Sequence, residues 1–312
     1  LSDNHPKYAG RPTLCRNCGA LIGAGENSCH VCGAAMTPSA PPALPLHERY
    51  AMSYARAVLS RPYIFTIIFL VANIFVFLLM WDASGMSTTA LWAAFDQRVL
   101  IDFGAKTNYA IHYDHQFWRF VTPVFIHVSL PHLLINMYSL WILGPWVEKL
   151  YGSAKFVVFW VATGIFGVVA SYLTVIPGAN PGVLGSFLIK TDEMIPSAGA
   201  SGALFGLIGV LFIFGLKYRR ELPEGFQRAF GTGMLPVILL NLAIGFLARG
   251  IIDNAAHLGG LLSGAVFASV VSYKRPGQPS GVTIAWRILQ IVALLSIVVC
   301  FVLAARHFRF TT

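Results

Sequence analysis

Two sets of residues in this sequence have the types and spacing to do chemistry. The first is scattered along the chain. Ser201 lies in Gly199-Ala200-Ser201-Gly202, and His257 follows Asp253 by four residues in a run rich in Ala and Gly. A serine hydroxyl is a weak nucleophile until a neighbouring imidazole takes its proton, and a histidine can do so near neutral pH. His132 and Asn136 are four residues apart, so on a helix they share a face. Their side chains, with the Ser201 backbone N–H, are suitable donors for the oxyanion that forms when a carbonyl is attacked. No carboxylate is obviously placed to orient the base, so the expectation is a Ser201–His257 dyad rather than a triad. Asp253 could reach His257 from one turn earlier, but a solvated aspartate at a helix start is the preferred reading. The second set is compact. Cys15 and Cys18, then Cys29 and Cys32, form two C-x2-C pairs separated by ten residues. Such paired knuckles bring four thiolates within tetrahedral reach of a zinc ion, as in a structural zinc ribbon. Gly19 and Gly33 suit the tight knuckle turns.

Stepping from these residues to the elements that must hold them, composition points to lipid. The 312 residues are 56% hydrophobic and 11% charged, with a mean hydropathy of +0.67. That leaves too little polar surface to coat a soluble globule of this size. Windows free of Asp, Glu, Lys and Arg occur at 62–81, 120–147, 156–189, 194–216, 229–248, 254–273 and 288–305. Each can supply the roughly 20 helical residues that cross a bilayer, and the second and third are long enough to include loop. The windows lack strand-like alternation, so an all-α membrane protein with seven spans is predicted. The first window begins too late to belong to a cleaved leader.

Charge sets the expected orientation. The net charge is +9, and Arg49, Arg56, Arg61, Lys217, Arg219, Arg220, Arg228, Lys274 and Arg275 fall in connections on one side. That side is assigned to the cytoplasm. Asp82, Asp96, Asp102, Asp114, Asp192, Glu193 and Asp253 fall on the other, while Arg306 and Arg309 run against the assignment. Spans two, four and six then all run inward. They carry His127, His132 and Asn136, Ser201, and His257 to one level, roughly 6–12 Å below the outer surface. Gly206 and Gly209 on span four, and Ala256, Gly260 and Gly264 on span six, are small residues at spacings that let helices approach closely. The loop at 82–119, rich in aromatics, reads as a structured interfacial segment.

Over roughly residues 60 to 275 these motifs resemble the rhomboid family of intramembrane serine proteases. GASG at 199–202 is similar to the family's nucleophile motif, and AHLGGLLSG at 256–264 to its histidine motif. HVSLPHLLINM at 127–137 is similar to the second-span motif, Trp118-Arg119 to the pair in the first long loop, and Glu148 to the cytoplasmic-end glutamate. The resemblance implies a catalytic Ser201 and His257 and an oxyanion site from His132, Asn136 and Ser201. It implies support from His127, Gly199, Gly202, Phe205, Trp118 and Arg119. Phe205 stands where some relatives carry a tyrosine stacked on the histidine, so it keeps the stacking surface and loses the hydroxyl. A six-helix core is implied, with the seventh span as a C-terminal addition. The fifth span and the loop at about 246–252 would be a lateral gate for the transmembrane helix of another protein, and catalysis needs no cofactor.

The expected organisation is a zinc ribbon at 1–36, a Pro-rich linker and interfacial stretch at 37–61, a rhomboid protease core at 62–275 and an additional helix at 276–312. The expected setting is a bacterial plasma (inner) membrane, with the N-terminus cytoplasmic and the active site toward the outer face. On that reducing side thiols favour zinc over disulfides, and about thirty residues cannot build a core without the metal. The ribbon would be a docking or regulatory surface for a cytoplasmic partner. Nucleic acid ranks low, since the ribbon carries only Lys7, Arg11 and Arg16 as strong bases. Plainer readings exist for each residue taken alone: Ser201 as a small helix-contact residue, His132 and Asn136 as interhelical glue, Trp118 and Arg119 as interfacial anchors. A non-proteolytic client-binding protein is the alternative function. A transporter is disfavoured by the absence of an internal repeat.

Overall fold

The computed structural model describes residues 12–35 apart from 16, 24 and 25, and residues 56–308 apart from 57, 179–192, 249–251 and 275–279. The Pro-rich linker, most of the interfacial stretch after it and the middle of the expected gate loop lie outside the described residues. The chain divides into two compact units, Leu1–Met52 and Ser53–Thr312.

In the first unit β1 (Thr13–Leu14) and β2 (Leu21–Ile22) pair antiparallel. The two knuckles repeat one hydrogen-bond pattern. Cys15 N–H donates to Ala20 and Gly19 N–H to Cys15; Cys29 N–H donates to Ala34 and Gly33 N–H to Cys29. Both turns need a left-handed residue, and Gly19 (φ 75°) and Gly33 (φ 73°) supply it without steric cost.

The second unit is helical. Its long first helix, α1 (Ile64–Ala83), leads into a loop containing α2 (Thr88–Trp92), α3 (Gln97–Asp102), α4 (Asn108–His112) and two 3-10 turns at Phe117–Phe120 and Thr122–Phe125. The bundle continues with α5 (Leu130–Tyr151), α6 (Ser153–Thr174), α7 (Ser201–Lys217), the short α8 (Glu224–Ala229), α9 (Leu235–Leu247), α10 (Asn254–Val270) and α11 (Ser280–Arg306). By length and composition, Ile64–Ala83, Ser153–Thr174 and Thr283–Arg306 could each cross a membrane; Ser201–Lys217 and Gly231–Leu247 are shorter apolar helices.

The second, third and fourth charge-free windows are among those that overrun their helices. Residues 120–129 form turns before Ser129 caps α5, α6 ends at Thr174, and 193–200 are an irregular lead-in to α7. Absence of charge marks burial in protein as well as in lipid: Pro123, Val124 and Phe125 are buried in the second turn.

Glycine sets the depth of the central packing. A Cβ on Gly260 would overlap the Gly202 carbonyl oxygen, and one on Gly264 the Gly206 carbonyl oxygen. The backbones of α7 and α10 therefore touch where most helix pairs are held apart by side chains. At the other end of the bundle the buried Glu148 carboxylate fastens the start of α1. It accepts from the backbone N–H of Phe65 (3.0 Å) and Thr66 (2.8 Å), from Thr66 Oγ1 (2.8 Å) and from Ser153 Oγ (2.7 Å). The two backbone N–H groups are orphan donors of a helix N-terminus, the place where a carboxylate is most favourable. The last helix lies against α6 and the turns. Phe301 meets Phe125 edge-on (5.8 Å between centroids), and His307 lies 4.4 Å from the Trp118 ring.

Candidate active site

Ser201 is the first residue of α7, and His257 lies in the first turn of α10. The glycine contacts below them hold the two helices close enough for Ser201 Oγ and His257 Nε2 to stand 2.9 Å apart, a hydrogen-bonding distance. Phe205, one turn after the serine, is stacked on the His257 ring at 4.2 Å and 15°. His257 Nδ1 is buried and has no hydrogen-bond partner among the described residues. Ring stacking, rather than a carboxylate, thus orients the imidazole.

A third helix end reaches the same place. Ser129 caps α5 by accepting from the His132 N–H (3.5 Å), which fixes the turn that carries His132. A Cβ on Gly199 would lie 2.9 Å from His132 Nε2 and 3.6 Å from Ser201 Oγ, so the ring edge and the hydroxyl flank one point. Gly199 (φ 140°) has the backbone freedom and the missing Cβ that this point requires, and its N–H donates to the Pro123 carbonyl at 2.9 Å. Asn136 donates to the His132 carbonyl (2.8 Å), and His127 packs edge-on to His132 at 5.2 Å. A scissile carbonyl placed at the hydroxyl would therefore meet a nucleophile, a base and a ring of candidate donors.

The rhomboid family's domain matches residues 114–274, just over half of the chain. This chain belongs to the rhomboid family. It is 33% identical to Rhomboid protease GluP of Bacillus subtilis (strain 168) over 78% of its own length and 41% of that protein. It is 30% identical to the Putative rhomboid protease YdcA of the same organism, over 51% of its own length and 70% of that protein. It is 27% identical to Rhomboid protease GlpG of Haemophilus influenzae, over 56% of its own length and 83% of that protein. The chain spans less than half the length of GluP and of RHOMBOID-like protein 5 of Arabidopsis thaliana. Apolar helices and family together make this rhomboid an integral membrane protein.

Not every expected site residue meets at the pair. Arg119 is buried in the first loop, where it donates to the carbonyls of Ile101 (2.8 Å) and Ala105 (2.7 Å) and to Gln116 Oε1 (2.7 Å). Burial pulls its pKa down to about 10 against the attraction of Asp102 and Asp114. Trp118 meets His307 beside it. Both residues brace the loop of the rhomboid unit and make no contact with the serine. Asp253 corrects an expectation. It caps α10 by accepting from Ala256 N–H (3.0 Å), as a helix-start aspartate should, but its other oxygen is held by side chains of the protein. That oxygen accepts from Ser171 Oγ (2.5 Å) and Ser197 Oγ (2.7 Å), and Lys106 Nζ donates to Ser171 (2.5 Å). Sequence reasoning passed over Lys106, Ser171 and Ser197, which carry no motif and are joined only by the fold. Asn254 was missed as well; it is fully buried, and a Cβ on Gly245 of α9 would overlap its Oδ1.

The four cysteines lie outside the matched rhomboid domain. Their sulfurs are all within 4.8 Å of one another, with Cys15 to Cys32 and Cys18 to Cys29 each 3.6 Å. Zinc–sulfur bonds of about 2.3 Å in a tetrahedron place sulfurs roughly 3.8 Å apart, so the donor set fits that ion. All four are free thiols.

Proposed function

We propose that this chain is an intramembrane serine endopeptidase that hydrolyses peptide bonds in or near the transmembrane helices of other membrane proteins. The single observation that carries the reading is the 2.9 Å approach of Ser201 Oγ to His257 Nε2 across the glycine-packed pair α7 and α10. Ser201 attacks the scissile carbonyl while His257 Nε2 takes its proton and later passes it to the leaving amine. His132, Asn136 and the Ser201 N–H receive the oxyanion, His127 holds His132, and Gly199 and Gly202 keep space beside the hydroxyl. Phe205 holds the imidazole plane, and Trp118 and Arg119 act at a distance by holding the first loop.

The described apolar helices and the lead-in loops support seven spans, six of them the core within 62–275 and the seventh in 276–312. The basic connections support a cytoplasmic N-terminus in a bacterial plasma membrane, with the site toward the outer face. The helix α9 and the loop after it would be the gate for the substrate. Cys15, Cys18, Cys29 and Cys32 would hold a zinc ion as a structural crosslink of the module at 1–36, joined by 37–61 to the core and available to a cytoplasmic partner.

The test is covalent labelling with a fluorophosphonate probe in detergent or bilayer, beside cleavage of a reporter carrying a transmembrane helix. Labelling and cleavage are expected for the unmodified chain. Ser201→Ala and His257→Ala should each lose at least about 10⁴-fold in cleavage, as in other serine–histidine enzymes. Equal labelling of the unmodified and Ser201→Ala proteins would remove the protease reading and leave client binding in its place.

A further inference from the structure

The described residues contain one buried ionic chain that the proposed chemistry does not use. Lys106, in the loop after α1, is only 5% exposed, and its ammonium donates to Ser171 Oγ of α6. Ser171 is fully buried and donates in turn to Asp253 Oδ2 (2.5 Å). Ser197 Oγ donates to the same oxygen at 2.7 Å. The backbones of Lys106 and Ser197 close the circuit, each N–H donating to the other's carbonyl at 2.9 and 2.8 Å. Four segments meet in this ring: the first loop, the end of α6, the lead-in to the serine and the N-cap of the histidine helix.

The ring has a direction. A serine hydroxyl has one proton and two lone pairs, so Ser171 accepts from Lys106 while its O–H donates to Asp253. An ammonium, which can only donate, at one end and a carboxylate, which can only accept, at the other suit that order. Burial lowers the lysine's affinity for its proton, and the Asp253 charge opposes that shift. A buried ammonium without its counter-charge is costly, so the two residues stabilise each other. The geometry of the site hangs from the same carboxylate. Asp253 Oδ1 caps α10 four residues before His257, and Oδ2 holds Ser197 four residues before Ser201.

We propose that Lys106 is a positioning residue for the active site: through Ser171 it fixes the Asp253 carboxylate, which in turn sets the register between the serine's lead-in and the histidine helix. This rests on the reading of Ser201 and His257 as the reacting pair. Lys106 touches neither. Its effect is to hold the 2.9 Å approach, and a misplacement of about 1 Å at a reacting centre can cost on the order of 100-fold in rate.

The test is a double-mutant cycle on the full chain with Lys106→Met, Asp253→Asn and both together. The readouts are the rate of fluorophosphonate labelling at Ser201, kcat and KM for a transmembrane reporter, and Tm. Each single change should lower kcat and the labelling rate by about tenfold or more while KM moves little. The double variant has no orphaned charge and keeps an acceptor at the helix cap, so its loss should not exceed the larger single loss. Single losses that multiply in the double variant would overturn the proposal, as would an unchanged rate in Lys106→Met. A lysine that only fills space predicts the first of those outcomes and a fall in rate that tracks Tm. If Asp253→Asn does not accumulate, Ser171→Ala replaces it; Lys106→Met should then add no further loss in that background, and an added loss would refute the relay. An unmodified chain that neither labels nor cleaves would instead strike at the proposed function itself.

Discussion

The cysteine module gathers four ligand atoms within 4.8 Å around almost no interior: Cys15, Ile22 and Cys29 are its buried apolar residues among those described. The serine–histidine pair is gathered by a wall of packed backbone. Gly202, Gly206, Gly260 and Gly264 let two helices touch, and large side chains such as Trp160, Phe159 and Phe214 fill the space around them. The first arrangement would depend on an ion held by the four thiolates. The second exists before any substrate arrives. Four thiols can therefore be gathered by about twenty residues of local turns, whereas a serine and a histidine from distant segments need a bundle to bring them together.

A strong metal chelator should act on the first unit and leave the second unchanged. A strong chelator is expected to abolish the folded state of the module, a loss of about 10 kcal/mol or more if zinc fills the four-thiolate site. Amide signals of residues 12–35 should collapse to unfolded positions in a labelled sample, and zinc should be released with a stoichiometry of one. Fluorophosphonate labelling at Ser201 should be unaffected in the same sample, because no described part of the pair depends on the cysteines. Persistence of the module's signals without metal would show that its turns, not an ion, hold it.

The glycine wall is the matching target in the other unit. Gly260→Ala places a methyl on the Gly202 carbonyl, and neither partner is a flexible side chain that can step aside. Overpacking of this kind costs about 3 kcal/mol or more, and the helices must separate to relieve it. Tm should fall, and labelling should drop by about 100-fold even in the fraction that stays folded, since the serine and histidine move apart. Gly19→Ala in the module, where φ is 75° and a Cβ meets nothing within 4 Å, should cost only the strain of a left-handed alanine, about 1 kcal/mol.

What could be read from the sequence follows the same division. The cysteine pairs were legible because knuckle geometry is local. The close approach of Ser201 to His257 was foreshadowed by the small residues beside them, whose spacing marks faces where helices can touch. The ring of Lys106, Ser171, Ser197 and Asp253 was not. Its members lie 56 to 82 residues apart where side chains meet, on a loop, a helix end, a lead-in and a cap, and no periodicity links such positions. Asp253 alone suggested a solvated cap because only the fold brings Ser171 and Ser197 to its second oxygen. The window edges failed for a related reason, since an uncharged turn packed under protein looks like an uncharged span in lipid.

Glu148 and Phe205 sharpen the contrast within the helical unit, one holding the fold and the other the chemistry. Glu148→Gln replaces a carboxylate that receives four donors with an amide that brings two donors of its own. The mismatch should cost about 1–3 kcal/mol, seen as a lower Tm, with the labelling rate of the folded protein unchanged.

Phe205→Leu should do the reverse and by less. The leucine keeps an apolar contact but loses the parallel face 4.2 Å from the imidazole, worth about 0.5–1.5 kcal/mol beyond its area. With Nδ1 unbonded among the described residues, that face and the Nε2 contact with Ser201 are what restrain the ring's rotation about its bond to Cβ. The labelling rate should fall by roughly two- to tenfold and Tm should barely change. Phe205→Tyr retains the face and should leave the rate within about twofold, because its hydroxyl adds a donor without altering the stack. A rate for Phe205→Leu equal to that of the unmodified chain would mean that the position of the α10 backbone alone aims His257, and would shift the whole burden of orientation onto the capping carboxylate at Asp253.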